Sequence, residues 1–133
     1  VKQLQLSIDT SLFMNRILIA EDEVRLAAFL EKGLQKYGFV TAIAEDGQQA
    51  IQMATTGDFE LLLLDLRLPL KDGWTVIEEL RSQGQKFPII VVTALHDEGT
   101  RHAVLLKGAN DYLTKPFQFK DLLARVQSYL IGD

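Results

Sequence analysis

Three short runs made only of apolar residues each stop at a polar side chain. Ile17-Leu18-Ile19-Ala20 ends at Glu21-Asp22, Leu61-Leu62-Leu63-Leu64 at Asp65, and Ile89-Ile90-Val91-Val92 at Thr93, while Tyr112-Leu113 shortly precedes Lys115-Pro116. A run of this length without alternation does not suit a strand that faces water on one side. It suits a strand covered on both faces, as in a parallel sheet. In open α/β sheets ligands gather at the carboxyl ends of strands, so these exits would bring acids, a hydroxyl and an ammonium to one edge.

Between the runs the apolar spacing turns helical, at Ala27, Leu30 and Leu34, at Val76, Ile77 and Leu80, and at Leu122, Val126 and Leu130. Gly38, Gly57, Gly84 and Gly108 punctuate helix ends, and Asp46-Gly47 makes a turn after a second strand around Val40 to Ala44. Five strand-helix units result, which favours an α/β fold: a five-stranded doubly wound parallel sheet with helices on both faces. With 133 residues, 47% of them apolar, one domain with one core is expected. Residues 1–13, where Leu4, Leu6 and Ile8 alternate weakly, read as an upstream extension or tag. Met14 looks like a natural start, so the domain is expected over 14–133.

The formal charge of −4 argues against a general nucleic-acid binder, which needs a basic face for phosphates. No cysteine is present, so disulfides, thiolate metal sites and thiol nucleophiles are excluded. No apolar stretch reaches the length of a membrane span and the amino terminus lacks the halves of a signal peptide, so a soluble cytoplasmic protein is expected.

Glu21 and Asp22 cannot point the same way from a strand, but at its exit both can approach one centre. With Asp65 they would form a crowded anionic pocket that needs a hard, oxygen-liganded cation, and Mg²⁺ suits it. Lys115 adds a second positive charge. Such a site can accept a phosphoryl group on Asp65, because cations neutralise the phosphoryl oxygens while the carboxylate attacks in line. Thr93 would donate its hydroxyl to a phosphoryl oxygen, and Ala94 leaves the backbone room to approach.

Together Glu21-Asp22, Leu64-Asp65-Leu66-Arg67-Leu68-Pro69 with Asp72-Gly73, Thr93-Ala94, and Asp111-Tyr112-Leu113-Thr114-Lys115-Pro116-Phe117 resemble the receiver domain of two-component response regulators, from about Asn15 to Tyr129. The pattern is CheY-like and nearest the OmpR-like branch. The resemblance implies sheet order 2-1-3-4-5, transfer of a phosphoryl group to Asp65 from a sensor histidine kinase or phosphotransfer protein, and a switch rather than an enzyme acting on other substrates. It also implies Mg²⁺ held by Asp22, Asp65 and the Arg67 carbonyl, with Glu21 acting through water, and a cis Lys115-Pro116 bond.

In that family the threonine moves toward the phosphate and an aromatic residue turns inward, which assigns switch roles to Thr93 and Tyr112. The surface of the fourth helix, fifth strand and fifth helix would carry the output, with Arg101, Asp121, Asp111 and Arg125 as charge pairs of a homodimer. Asn110 and Leu106 depart from the acidic residues common there, and exposed ion pairs contribute little singly. Val24, Arg25 and Ala28 on the first helix would meet the kinase, with core packing as the alternative for Val24 and Ala28. Arg67 and Leu95 would flank the path of a hydrolysing water. His96 and His102 are expected at the surface, and Trp74 near the start of the third helix.

Three alternatives share parts of this pattern. A phosphatase of the haloacid-dehalogenase type needs a second Asp two residues after the nucleophile, where Arg67 stands. A flavodoxin-like cofactor carrier needs a hydroxyl- and glycine-rich phosphate loop where this chain has Glu21-Asp22-Glu23. A degenerate receiver would serve only for docking, but every chemical residue is retained.

Overall fold

Burial of the apolar runs is what organises the chain. The computed structural model describes residues 15–130, so the stretch 1–13 and the boundary at Met14 lie outside the described residues. Strands β1 (Arg16–Ala20), β2 (Val40–Ala44), β3 (Leu61–Leu64), β4 (Ile89–Thr93) and β5 (Asp111–Thr114) form one parallel sheet in the order β2-β1-β3-β4-β5. The three central strands carry the unbroken apolar runs, whereas the edge strands β2 and β5 are partly exposed. That difference is why β2 and β5 contain no unbroken apolar run.

Alternate residues of the central strands feed two cores. Ile17, Ile19, Leu61, Leu63, Ile90 and Val92 pack with Leu30 and Leu34 of α1 (Val24–Lys36) and Leu122 and Val126 of α5 (Phe119–Leu130). Leu18, Leu62, Leu64 and Val91 pack with α2 (Gly47–Thr56), α3 (Gly73–Ser82) and α4 (Glu98–Lys107) through Ala50, Ile51, Val76, Ile77, Leu80 and Val104. Each fully buried Leu or Ile contributes about 1.5–3 kcal/mol. The helix stripes read from the sequence are therefore the faces that cover the sheet.

The α2, α3 and α4 helices begin at Asp46, Asp72 and Asp97, each accepting a backbone N–H three residues on, from Gln49, Thr75 and Thr100. Gly38, Gly84 and Gly108 follow helices with positive φ. Gly57 is different. Its φ is −98°, and it is there because Phe59 and the Met53 carbonyl crowd the place of a Cβ. At the opposite edge from the strand exits, Arg81 donates to the carbonyls of Gly108 and Gln85 and to Asn110 Oδ1, which also accepts from Ile89 N at 2.8 Å. Asn110, a departure in the sequence, thus brackets α3, β4 and β5. Among the described residues, no helix is long and apolar enough to cross a membrane.

Candidate functional site

Each acidic residue arrives at the carboxyl edge because its strand ends there. Backbone bonds fix the exits to one another: Glu21 N donates to Ala44 O at 3.0 Å, Asp65 N to Ala20 O at 3.0 Å, and Lys115 N to Thr93 O at 2.8 Å. Glu21 and Asp65 are buried and Asp22 is exposed. One carboxylate oxygen of each lies within 4.8 Å of the others. Lys115 Nζ joins them, donating to Glu21 Oε1 at 2.9 Å and Asp65 Oδ2 at 3.1 Å. The Lys115-Pro116 bond that precedes α5 is cis, as the resemblance implied.

The electrostatics follow from this crowding. Burial pushes the Glu21 carboxyl above its ordinary range; the Lys115 hydrogen bond and the Glu23 N–H oppose that shift, and the Asp65 charge adds to it. Burial disfavours the charge on Lys115, but the hydrogen bond it donates to Glu21 and the charges of Asp65 and Glu21 outweigh it and raise its pKa. An all-oxygen donor set of three carboxylates fits a hard divalent cation, whose charge would relieve the burial of Glu21 beside Asp65. Arg67 N donates to Asp65 Oδ1 at 3.2 Å, so its peptide abuts the Asp65 carboxylate, and the residue itself is exposed.

Thr93 is completely buried, and its Oγ1 accepts from Leu95 N at 3.4 Å. Tyr112 is also buried, and its hydroxyl donates to the Leu95 carbonyl. Its ring therefore belongs to the core packed by α2, α3 and α4 rather than standing half-buried on the sheet. Burial, first, and the nearby charges of Asp97 and Glu98 raise the Tyr112 pKa.

Asp111 and Arg125 form an ion pair within one molecule, at 2.7 Å, and Arg101 and Asp121 are exposed around the same depression beside Tyr112. Val24, Arg25 and Ala28 are all exposed, so core packing does not account for Val24 and Ala28. An apolar groove of about 430 Å³ runs from α1 to the turn after β5, lined by Leu26, Phe29, Ala94, Pro116 and Phe117, with Lys115 at one wall. His96 and His102 are exposed, and Trp74 is the second residue of α3.

Sequence reasoning missed two features. The sequence marks Gly47 only as a turn glycine, but a Cβ there would lie 1.7 Å from the Lys71 carbonyl oxygen, so glycine is required for the loop after β3 to close against α2. Leu70, in that same loop, has a φ of 67°. The Asp46-Gly47 pair signalled the first only as a turn, and nothing in the sequence signalled the second.

The sequence model described as the response regulator receiver domain matches residues 17–127. The transcriptional activator protein IrlR of Burkholderia pseudomallei is 45% identical over 115 residues, which are 86% of this chain and 50% of that protein. The chain spans about half the length of the curated relatives it matches. Among solved structures, the Francisella response regulator 1452 receiver domain is similar with a TM-score of 0.85 and 30% identity, over 90% of this chain and 99% of that one. The receiver domain of the Pseudomonas aeruginosa PAO1 sensor histidine kinase PA1611, which has a magnesium ion coordinated in its active site cleft, is 34% identical with a TM-score of 0.81, over 90% of this chain and 99% of that one. Five parallel strands in receiver order, with the acidic exits gathered around one lysine, agree with these likenesses, and the chain belongs to the family of response regulator receiver domains, the signalling switches of two-component systems.

Proposed function

We propose that Asp65 is the phosphoacceptor of this receiver and that its chemistry depends on Mg²⁺. The observation that carries the reading is Lys115 Nζ, which bridges Glu21 and Asp65 at 2.9 and 3.1 Å and so holds a cation beside the attacking carboxylate. An Asp65 oxygen attacks phosphorus, the bond from phosphorus to the donor's imidazole nitrogen breaks, and the electron pair leaves with that nitrogen. Asp22, Asp65 and the Arg67 carbonyl would hold the ion, with Glu21 acting through water, and the ion would supply charge neutralisation for the transferring oxygens. Lys115 and the Thr93 hydroxyl bind phosphoryl oxygens after transfer. The domain catalyses only its own phosphorylation and dephosphorylation.

The domain works in the cytoplasm, and its donor is a sensor histidine kinase or phosphotransfer protein that meets Val24, Arg25 and Ala28 on α1 and the apolar groove beside Lys115. Phosphorylation adds charge at Asp65, draws Thr93 toward it, and passes through Tyr112 to the face of α4, β5 and α5. That face dimerises through Arg101, Asp111, Asp121 and Arg125, with Asp111 and Arg125 exchanging their present internal pair for partners across the interface. The names of relatives such as IrlR point to transcription as the output, and this domain itself makes no contact with nucleic acid or membrane.

The test is incorporation of phosphate from a small acyl phosphate, with and without Mg²⁺, together with the oligomeric state. Labelling that needs both Mg²⁺ and Asp65, with a dimer forming on modification, is expected. Labelling that persists in Asp65→Asn would overturn the assignment.

A further inference from the structure

Leu70 has a backbone that suits glycine and a side chain that suits a core. Its φ of 67° is the one positive value outside glycine among the described residues, and the residue is 75% exposed. Lys71 N donates to Pro69 O at 2.7 Å, closing a three-residue γ-turn around it, and a γ-turn with positive φ is the strained form. For a bulky residue such a φ is an outlier.

The flanks prevent relaxation. Pro69 O also accepts from Gly47 N at 3.1 Å, the Lys71 carbonyl presses on Gly47, and Lys71 Nζ pairs with Glu79 at 2.9 Å. Strain of this kind persists where the surroundings impose it, and it collects at functional sites. Glycine would remove the backbone strain, and asparagine would ease it while also removing the exposed apolar surface. Leu70 belongs to neither core, so burial within the described chain does not offset either penalty.

The position of Leu70 says what would. It lies on the loop that leads from Asp65 to α3, at the same edge as Val24, which is 78% exposed after β1. A donor small enough to diffuse into the pocket need not touch this rim, whereas a protein that presents a phosphohistidine to Asp65 must cover it. Resting on the assignment of Asp65 as phosphoacceptor, we propose that Leu70 is a specificity-determining contact for the histidine-bearing phosphodonor, its side chain filling an apolar recess on that protein.

The experiment compares two donors on the intact chain: a small acyl phosphate, and a purified, autophosphorylated histidine kinase selected because it phosphorylates the wild type. Leu70→Asn, with its backbone strain eased, should hold or raise its thermal midpoint and keep its rate with the acyl phosphate, while kcat/KM from the kinase falls about tenfold, as for loss of one apolar anchor. Leu70→Met, which keeps an apolar side chain of similar reach, should recover most of the kinase rate. Kinase transfer to Leu70→Asn within about twofold of wild type would overturn the proposal, as would equal loss with both donors, which would assign Leu70 to loop shape alone. Uptake of phosphate by Asp65→Asn from either donor at the wild-type rate would instead overturn the assignment of Asp65.

Discussion

Thr93 and Tyr112 meet through the backbone of one residue, since Leu95 donates its N–H to the Thr93 hydroxyl and accepts the Tyr112 hydroxyl at its carbonyl. Any movement of the turn after β4 therefore acts on both side chains. Tyr112→Phe leaves that carbonyl without its donor, and a loss of about 1 kcal/mol in urea unfolding is expected. Amide exchange at the start of α4 should quicken with it, and unchanged exchange would show that the two residues are not coupled through Leu95.

Gly47 constrains the loop that follows Asp65 from outside the pocket. Gly47→Ala places a methyl group 1.7 Å from the Lys71 carbonyl oxygen, and backbone has to move. Destabilisation of about 1–3 kcal/mol is expected, with slower phosphorylation by a small donor because the loop begins at Asp65. Wild-type stability in this variant would contradict the close packing.

The sheet was legible because unbroken apolar runs are the direct signature of strands covered on both faces. The same runs mark their own exits, so the convergence of Glu21, Asp22, Asp65 and Lys115 at one edge is legible from sequence. What was not legible depends on distances between separate segments. Gly47 is required by a carbonyl 24 residues away, at Lys71, and the Leu95 link exists only once β4 and β5 are side by side. Leu70 was hidden for another reason: leucine carries no local signal for a positive φ, which would ordinarily be written as glycine or asparagine.

Helix α4 should respond to acid through its cap. The Thr100 backbone N–H, then its hydroxyl, hold Asp97 below its ordinary pKa of 3.8. A depressed carboxyl stabilises the fold above its unfolded pKa, and that contribution is lost as pH falls through the folded value. Protection of the first α4 amides should thus decline below pH 3.8 in wild type and show no such step in Asp97→Ala. A step that survives the substitution would place the titrating group elsewhere.

Phosphoryl lifetime should depend on the two residues that flank the approach to Asp65. Arg67 is exposed and Leu95 is half-buried against the core, and both are bulky enough to obstruct an attacking water. Replacing both with small polar residues is expected to shorten the half-life by about tenfold, the effect of roughly 1.4 kcal/mol on the barrier. An unchanged half-life would remove steric shielding from the explanation.

The most direct measurement is chemical. Protein treated with Mg²⁺ and a small acyl phosphate is reduced with labelled borohydride, which cleaves an acyl phosphate to the alcohol, and the labelled peptide is sequenced. Label at Asp65 alone, absent when Mg²⁺ is chelated, is the expected result. Label at Glu21 or Asp22, or none at all, would contradict the assignment of Asp65 as the acceptor.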